Sequence, residues 1–188
     1  MSETIKPNYT RVTTPLSKYN DFSSVDPLVL HKACERGTKV HRYCELHMLD
    51  EYFPEPDKEL AGYVESFKKW YDTMVSELIS TEERYYDTKL KITGAIDIVA
   101  VLKGDRHPTI IDIKTPALAG KTWRLQLAAY KHLYNIQESS SIPAERCLSL
   151  RVDKEGKKAK INEYTSDYDL NIYLYMAALK LHRYFNGL

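Results

Sequence analysis

Asp97, Asp112 and Lys114 stand in two short runs that have the composition of adjacent β-strands. Residues 92–102, ITGAIDIVAVL, and 109–114, TIIDIK, are apolar and β-branched, and KGDRHP between them supplies turn residues. A turn centred on Gly104 and Asp105 pairs Lys103 with Arg106 and, continuing outward, Asp97 with Asp112. Carboxylates opposed in this way, at roughly 4.5–5.5 Å between Cβ atoms, destabilise a sheet unless something compensates them, and a bound cation does so. Alternation along the strand puts Lys114 on the face of Asp112 and turns Ile111 and Ile113 to the other. Phosphodiester hydrolysis uses such a set, because a metal ion activates water and neutralises charge on the phosphoryl oxygens. Asp97 and Asp112 are hard oxygen ligands suited to one or two Mg²⁺ or Mn²⁺ ions, and the main-chain carbonyl of Ile113 can join them. Lys114 is placed to stabilise the developing negative charge.

Holding these groups takes a sheet and the helices that cover it. Residues 1–24 mix Ser, Thr, Pro, Asn and Tyr without a period, which predicts an irregular arm that orders against DNA or a partner. From Pro27 to about Tyr52 a helical pattern runs through Leu28, Leu30, Ala33, Val40, Cys44 and Leu46, with a break into two helices expected near Gly37. Residues 58–79 place Leu60, Val64, Phe67, Tyr71, Val75 and Leu78 at steps of three or four, predicting one amphipathic helix. EERYYDTKLKI, residues 82–92, predicts the first strand. Beyond the central hairpin, residues 121–136 predict a helix packing through Leu125, Ala129, Leu133 and Ile136. ERCLSLRVD and KAKINEY then predict a second hairpin, and residues 168–185 a closing helix that buries Leu170, Tyr173, Leu174, Ala177, Leu181 and Phe185. The sum is a single α/β domain over residues 25–188, a central mixed and twisted sheet flanked by helices.

A net charge of +1 with 28% charged residues sets up no global field, so any basic surface is local. Three cysteines, Cys34, Cys44 and Cys147, are too few for a disulfide framework or a four-thiolate cluster and are expected to be reduced thiols. No apolar run approaches the roughly 20 residues of a membrane helix, and MSETIKPNYTRV has no apolar core, so a soluble cytoplasmic protein without a membrane partner is expected.

The strings GAID at 94–97, IIDIK at 110–114 and QLAAY at 126–130 together resemble the PD-(D/E)XK nuclease superfamily, and in particular its RecB-like exonuclease branch. RGTKVHRYCE at 36–45 is similar to the helical histidine segment of that branch. The resemblance implies a restriction-endonuclease-like core and metal-dependent DNA hydrolysis, with His41 joining Asp97, Asp112 and Ile113 as a metal ligand. It further implies that Gln126 and Tyr130, four apart on one helix face, brace the catalytic groups and approach the DNA. Ile96 stands where the name-giving proline would precede Asp97, although the Gly-x-x-Asp form is usual in the RecB-like branch, and Asp112 replaces a more common Glu. The compact chain resembles stand-alone phage or bacterial recombination nucleases. That implies DNA with single-stranded or duplex ends as substrate, a bacterial or phage-infected cytoplasm, and room for a homo-oligomer or a recombination partner protein. A structure-specific endonuclease and a non-catalytic nucleic-acid-binding subunit with the same fold stay open.

Outside these motifs, Glu82 and Glu83 read as exposed acids at a strand start with at most a water-mediated role, and His31, His47, His107 and His132 as structural or solvated. Lys121, Arg124 and Lys131 suit either phosphate contacts or a solvated helix face.

Overall fold

Asp26 starts the first helix, α1 (Pro27–Met48): its carboxylate accepts the N–H groups of Leu28 and Val29, and Pro27 fills a first-turn position that needs no N–H. The computed structural model describes residues 8–20, 22–116 and 118–187. α1 runs straight through Gly37, where two helices were expected. An isolated glycine costs a helix only about 1 kcal/mol, and burial of Val40, Cys44 and Met48 along one face outweighs it.

The second helix, α2 (Lys58–Met74), buries Leu60, Tyr63, Val64, Phe67 and Trp70. It stops before Val75 and Leu78, which the helical spacing had claimed. Those residues open β2 (Val75–Asp87), thirteen residues that pair along the whole of β3 (Ile92–Leu102). Cross-strand pairing has overridden a local periodicity here, at the cost of register irregularities near Val75 and Leu78. β4 (Pro108–Lys114) completes the central hairpin in the expected register, Ile98 opposite Ile111 through Val101 opposite Pro108. Gly104 takes the positive φ that the turn requires.

After α3 (Trp123–Asn135), β5 (Arg146–Arg151) pairs parallel to β4, and β6 (Lys160–Glu163) returns antiparallel to β5. The chain closes with α4 (Tyr168–Asn186). The segment expected to be an irregular arm contains β1 (Thr10–Arg11), parallel to β3, and sends Val12 and Leu16 into the core; residues 1–7 lie outside the described residues. The result is a mixed six-stranded sheet between two helical layers. α3 and α4 cover one face with Ile92, Ile96, Val99, Ile110, Leu127, Leu133, Tyr175 and Leu179 in the core. α1 and α2 cover the other, over Ile98, Ala100, Ile111, Ile113, Leu148 and Leu150.

Two helix faces differ from expectation. On α3, Leu127, Tyr130 and Tyr134 join Ala129 and Leu133 in the core, while Ile136 is largely exposed. α4 packs through Asn171, Tyr175, Ala178 and Leu179, leaving Leu170, Tyr173, Leu174, Leu181 and Phe185 on the outside. Its sequence is apolar nearly all round, so spacing alone selects no face.

Candidate active site

A strand has two edges, and three strands share those of β3. β2 occupies one edge from end to end, so β1 and β4 divide the other: β1 takes residues 92–93 and β4 residues 98–101. Residues 94–97 face no strand there, and the gap is a cleft of about 260 Å³ that Gly94, Asp97 and Tyr130 help to line.

Asp97 closes the gap at the β4 end. The ladder stops at Ile98 and Ile111, and beyond it the N–H of Ile113 donates to Asp97 Oδ2 at 2.6 Å. The pleat of β3 also slips at this residue: Ile92 and Ile96 belong to the α3/α4 layer, whereas Ile98 and Ala100 belong to the α1/α2 layer. Across from it on β2, Thr81 and Glu83 pair with Ile98 and Ile96, and Glu82 between them has a φ of 50°. A left-handed conformation is costly for a side chain as large as glutamate and points to a local constraint.

His41, on α1, meets both acids and the strand. Its Nδ1 lies 3.4 Å from Glu82 Oε1 and 3.6 Å from Asp97 Oδ2, and its Nε2 lies 3.1 Å from the carbonyl oxygen of Ile113. Burial favours the neutral ring, yet Asp97 and Glu82 outweigh it and push the His41 pKa up to about 9. The ring is therefore protonated at neutral pH, donating through both nitrogens and acting as the counter-ion of the two acids. Burial, reinforced by Glu82, raises the pKa of Asp97. One donor atom each from His41, Glu82 and Asp97 lie within 4.8 Å of one another. An imidazole nitrogen, two carboxylates and a neighbouring carbonyl are a donor set that fits a divalent cation such as Mn²⁺ or Mg²⁺.

A second group adjoins on the α3 side. Lys114 Nζ sits 2.6 Å from Asp112 Oδ2 and 3.3 Å from Gln126 Oε1. The Gln126 amide donates to Asp112 Oδ1 and to the Tyr130 hydroxyl, each at 3.0 Å. Burial, with Asp97 nearby, raises the pKa of Asp112, while Lys114 opposes that shift. Tyr130 is held neutral, mainly by burial. Its ring packs against Gly94, where a Cβ would stand 2.6 Å from Cε1.

The profile of the PD-(D/E)XK nuclease superfamily matches residues 29–182. The chain belongs to this superfamily. Nucleases of the PD-(D/E)XK type use divalent metal ions, and the matched span contains both groups just described. No curated protein matches the sequence. Among solved structures, the crystal structure of SSO0001 is similar at a TM-score of 0.46 and 17% identity, over 96% of this chain and 79% of that one.

In this PD-(D/E)XK chain, His41, Asp97 and the Ile113 carbonyl converge from α1, β3 and β4, while Asp112, Lys114, Gln126 and Tyr130 form a continuous hydrogen-bonded set. The Asp112 oxygens are engaged by Lys114 and Gln126, outside the His41, Glu82 and Asp97 group. From the sequence Glu82 was expected to have at most a water-mediated role, whereas its carboxylate joins His41 and Asp97 directly. Its acid type was visible, but the left-handed turn that brings it to His41 has no sequence signature. His31, His47, His107 and His132 each face an acid away from this cleft.

Proposed function

We propose that the protein is a metal-dependent deoxyribonuclease that hydrolyses DNA from its ends, with Mg²⁺ or Mn²⁺ as cofactor. The observation that supports this best is the meeting of three metal-ligand side chains with a lysine-carboxylate pair at one break in the sheet. His41, Glu82, Asp97, Asp112 and the carbonyl of Ile113 would hold one or two ions. A bound divalent ion supplies activation of water and neutralises phosphoryl charge.

The protein's own groups do the rest. Lys114, tied to Asp112 and Gln126, directs its ammonium toward charge developing on the phosphoryl oxygens. Gln126 fixes the aim of Lys114 and Asp112 at once, and Tyr130 anchors Gln126. His41 gives up a proton before its ring can act as a ligand.

The test compares end-labelled linear DNA with closed circular DNA, with Mg²⁺ and with Mn²⁺. Degradation of linear DNA alone, at least as fast with Mn²⁺, is expected, because an imidazole ligand favours the later metal. Cleavage of circles would make the protein an endonuclease. Inactivity with both metals on single-stranded and duplex ends would overturn the proposal. Asp112→Ala and Lys114→Ala should abolish cleavage in folded protein. Recombination, repair or phage DNA processing in a bacterial or phage-infected cytoplasm is the setting this reading favours, with a homo-oligomer or a recombination protein as companion. Among the described residues no helix is long and apolar enough to cross a membrane.

A further inference from the structure

The cleft beside Asp97 carries two arginines that the nuclease reading does not use. Arg11 comes from β1 and Arg84 from β2, on opposite edges of β3, and both line the same cavity. Neither makes an ion pair or a side-chain hydrogen bond among the described residues. Register fixes their direction: Arg11 is the partner of Thr93 and Arg84 the partner of Ala95, so their side chains share the face of Thr93 and Ala95. Asp97, two residues further along β3, lines the same cavity. Two arginines from opposite edges of β3 therefore line one cleft together with the acid of the candidate metal site. Guanidinium forks without an ion-pair partner among the described residues, at the edge of a polar cleft, suit a phosphate group.

We infer that Arg11 and Arg84 form a phosphate subsite that grips the nucleic-acid phosphate next to the one being cleaved. The inference rests on the nuclease reading and adds to it a second phosphate contact, in the cleft that Asp97 also lines. The phosphate is either the terminal one at a strand end or an internal diester, and both present the same oxygens to the guanidinium groups. Arg11 gives the amino-terminal segment a task in the site, since β1 exists to place it against β3. Tyr130 and Gly94 close the inner wall of the same cleft, so a phosphate held there lies against the residue that anchors Gln126.

The test is fluorescence anisotropy in EDTA with short single-stranded oligonucleotides bearing a 5′-phosphate, a 3′-phosphate or hydroxyls at both ends. Arg11→Gln and Arg84→Gln are compared with wild type and with Lys180→Gln, an exposed change on α4. Each arginine variant should bind about tenfold more weakly, the scale of one charge-assisted hydrogen-bonded contact. The dependence of log affinity on log salt should flatten by about 0.7, one single-strand phosphate contact. Lys180→Gln should bind like wild type. A loss confined to one phosphorylated oligonucleotide identifies the terminal phosphate, and an equal loss on all three identifies an internal one. Arginine variants that bind all three like wild type, with an unchanged salt slope in a protein that cleaves DNA, overturn the subsite alone. A wild-type protein that neither binds nor cleaves any of them overturns the nuclease reading, and the subsite with it.

Discussion

Replacing Gly94 with alanine tests the brace of the site at its narrowest point. The added Cβ would lie 2.6 Å from Cε1 and 3.1 Å from Cδ1 of Tyr130, and 3.3 Å from Cγ2 of Val12. Carbon atoms settle about 3.5–4.0 Å apart, so the ring must retreat by about 1 Å. Tyr130 is only 6% exposed, and its hydroxyl is held by Gln126, so the ring cannot retreat without loss. Overpacking of this kind costs about 1–3 kcal/mol. Gly94 does not use the left-handed region, so alanine also restricts the unfolded chain and returns about 0.4–1 kcal/mol. The net expectation is a destabilisation of about 1–2 kcal/mol in urea unfolding. The same retreat stretches the 3.0 Å bond from Gln126 to Tyr130 beyond useful length, and a displacement of that size can lower turnover about a hundredfold. Removing the ring supplies the control. In a Tyr130→Ala background the new methyl group meets only Val12 Cγ2 at 3.3 Å, so the stability cost of Gly94→Ala should fall to well under half, a coupling that a double-mutant cycle reads directly. An equal cost with and without the ring would refute this account of Gly94.

Three further outcomes are expected. Because His41 holds its proton up to about pH 9, a divalent ion bound through that ring must displace it, so apparent affinity at pH 7 should be about a hundredfold weaker than above pH 9; calorimetry in buffers of different ionisation enthalpy should show about one proton released per ion, and pH-independent binding would contradict it. Burial pushes the Asp87 pKa up, but the N–H groups of Leu90 and Lys89 and the His132 ring more than reverse this and hold it below the usual range. Its stabilisation is therefore complete above the unfolded-state value of 3.8 and disappears as pH falls through the lower folded-state value, so Asp87→Asn should be destabilising at pH 7 with a shallower decline in acid; parallel stability curves would argue against that role. At Gly62 on α2, a Cβ would fall 1.8 Å from the carbonyl oxygen of Lys154, which is main chain and cannot swing aside. Gly62→Ala should cost about 3 kcal/mol and lower the melting temperature by about 10 °C, and an unchanged melting curve would show that α2 is not seated there as described.

What the sequence disclosed was local. The turn at Gly104 determined the pairing of β3 with β4, and a spacing of four on a helix brought Gln126 and Tyr130 to one side of Lys114. What it concealed depended on partners distant in the chain. Val75 and Leu78 obey a helical period but pair with β3, and Thr10–Arg11 looks irregular until Ile92 and Thr93 stand beside it. Glu82 became a candidate ligand only through a backbone conformation that no side-chain preference announces. On α4 the composition was ambiguous, because apolar residues on every side match several packing faces equally well.

The change of phase between Ile96 and Ile98 ties chemistry to architecture. Each isoleucine is fully buried in a different hydrophobic layer, so restoring an unbroken zigzag would drag one of them through the sheet into the wrong oil. The kink that presents Asp97 is thus defended from above and below by greasy anchors that never touch a substrate. Engineering that edits only the rim can retune what this cleft accepts, but abolishing the kink itself means redrawing the interior.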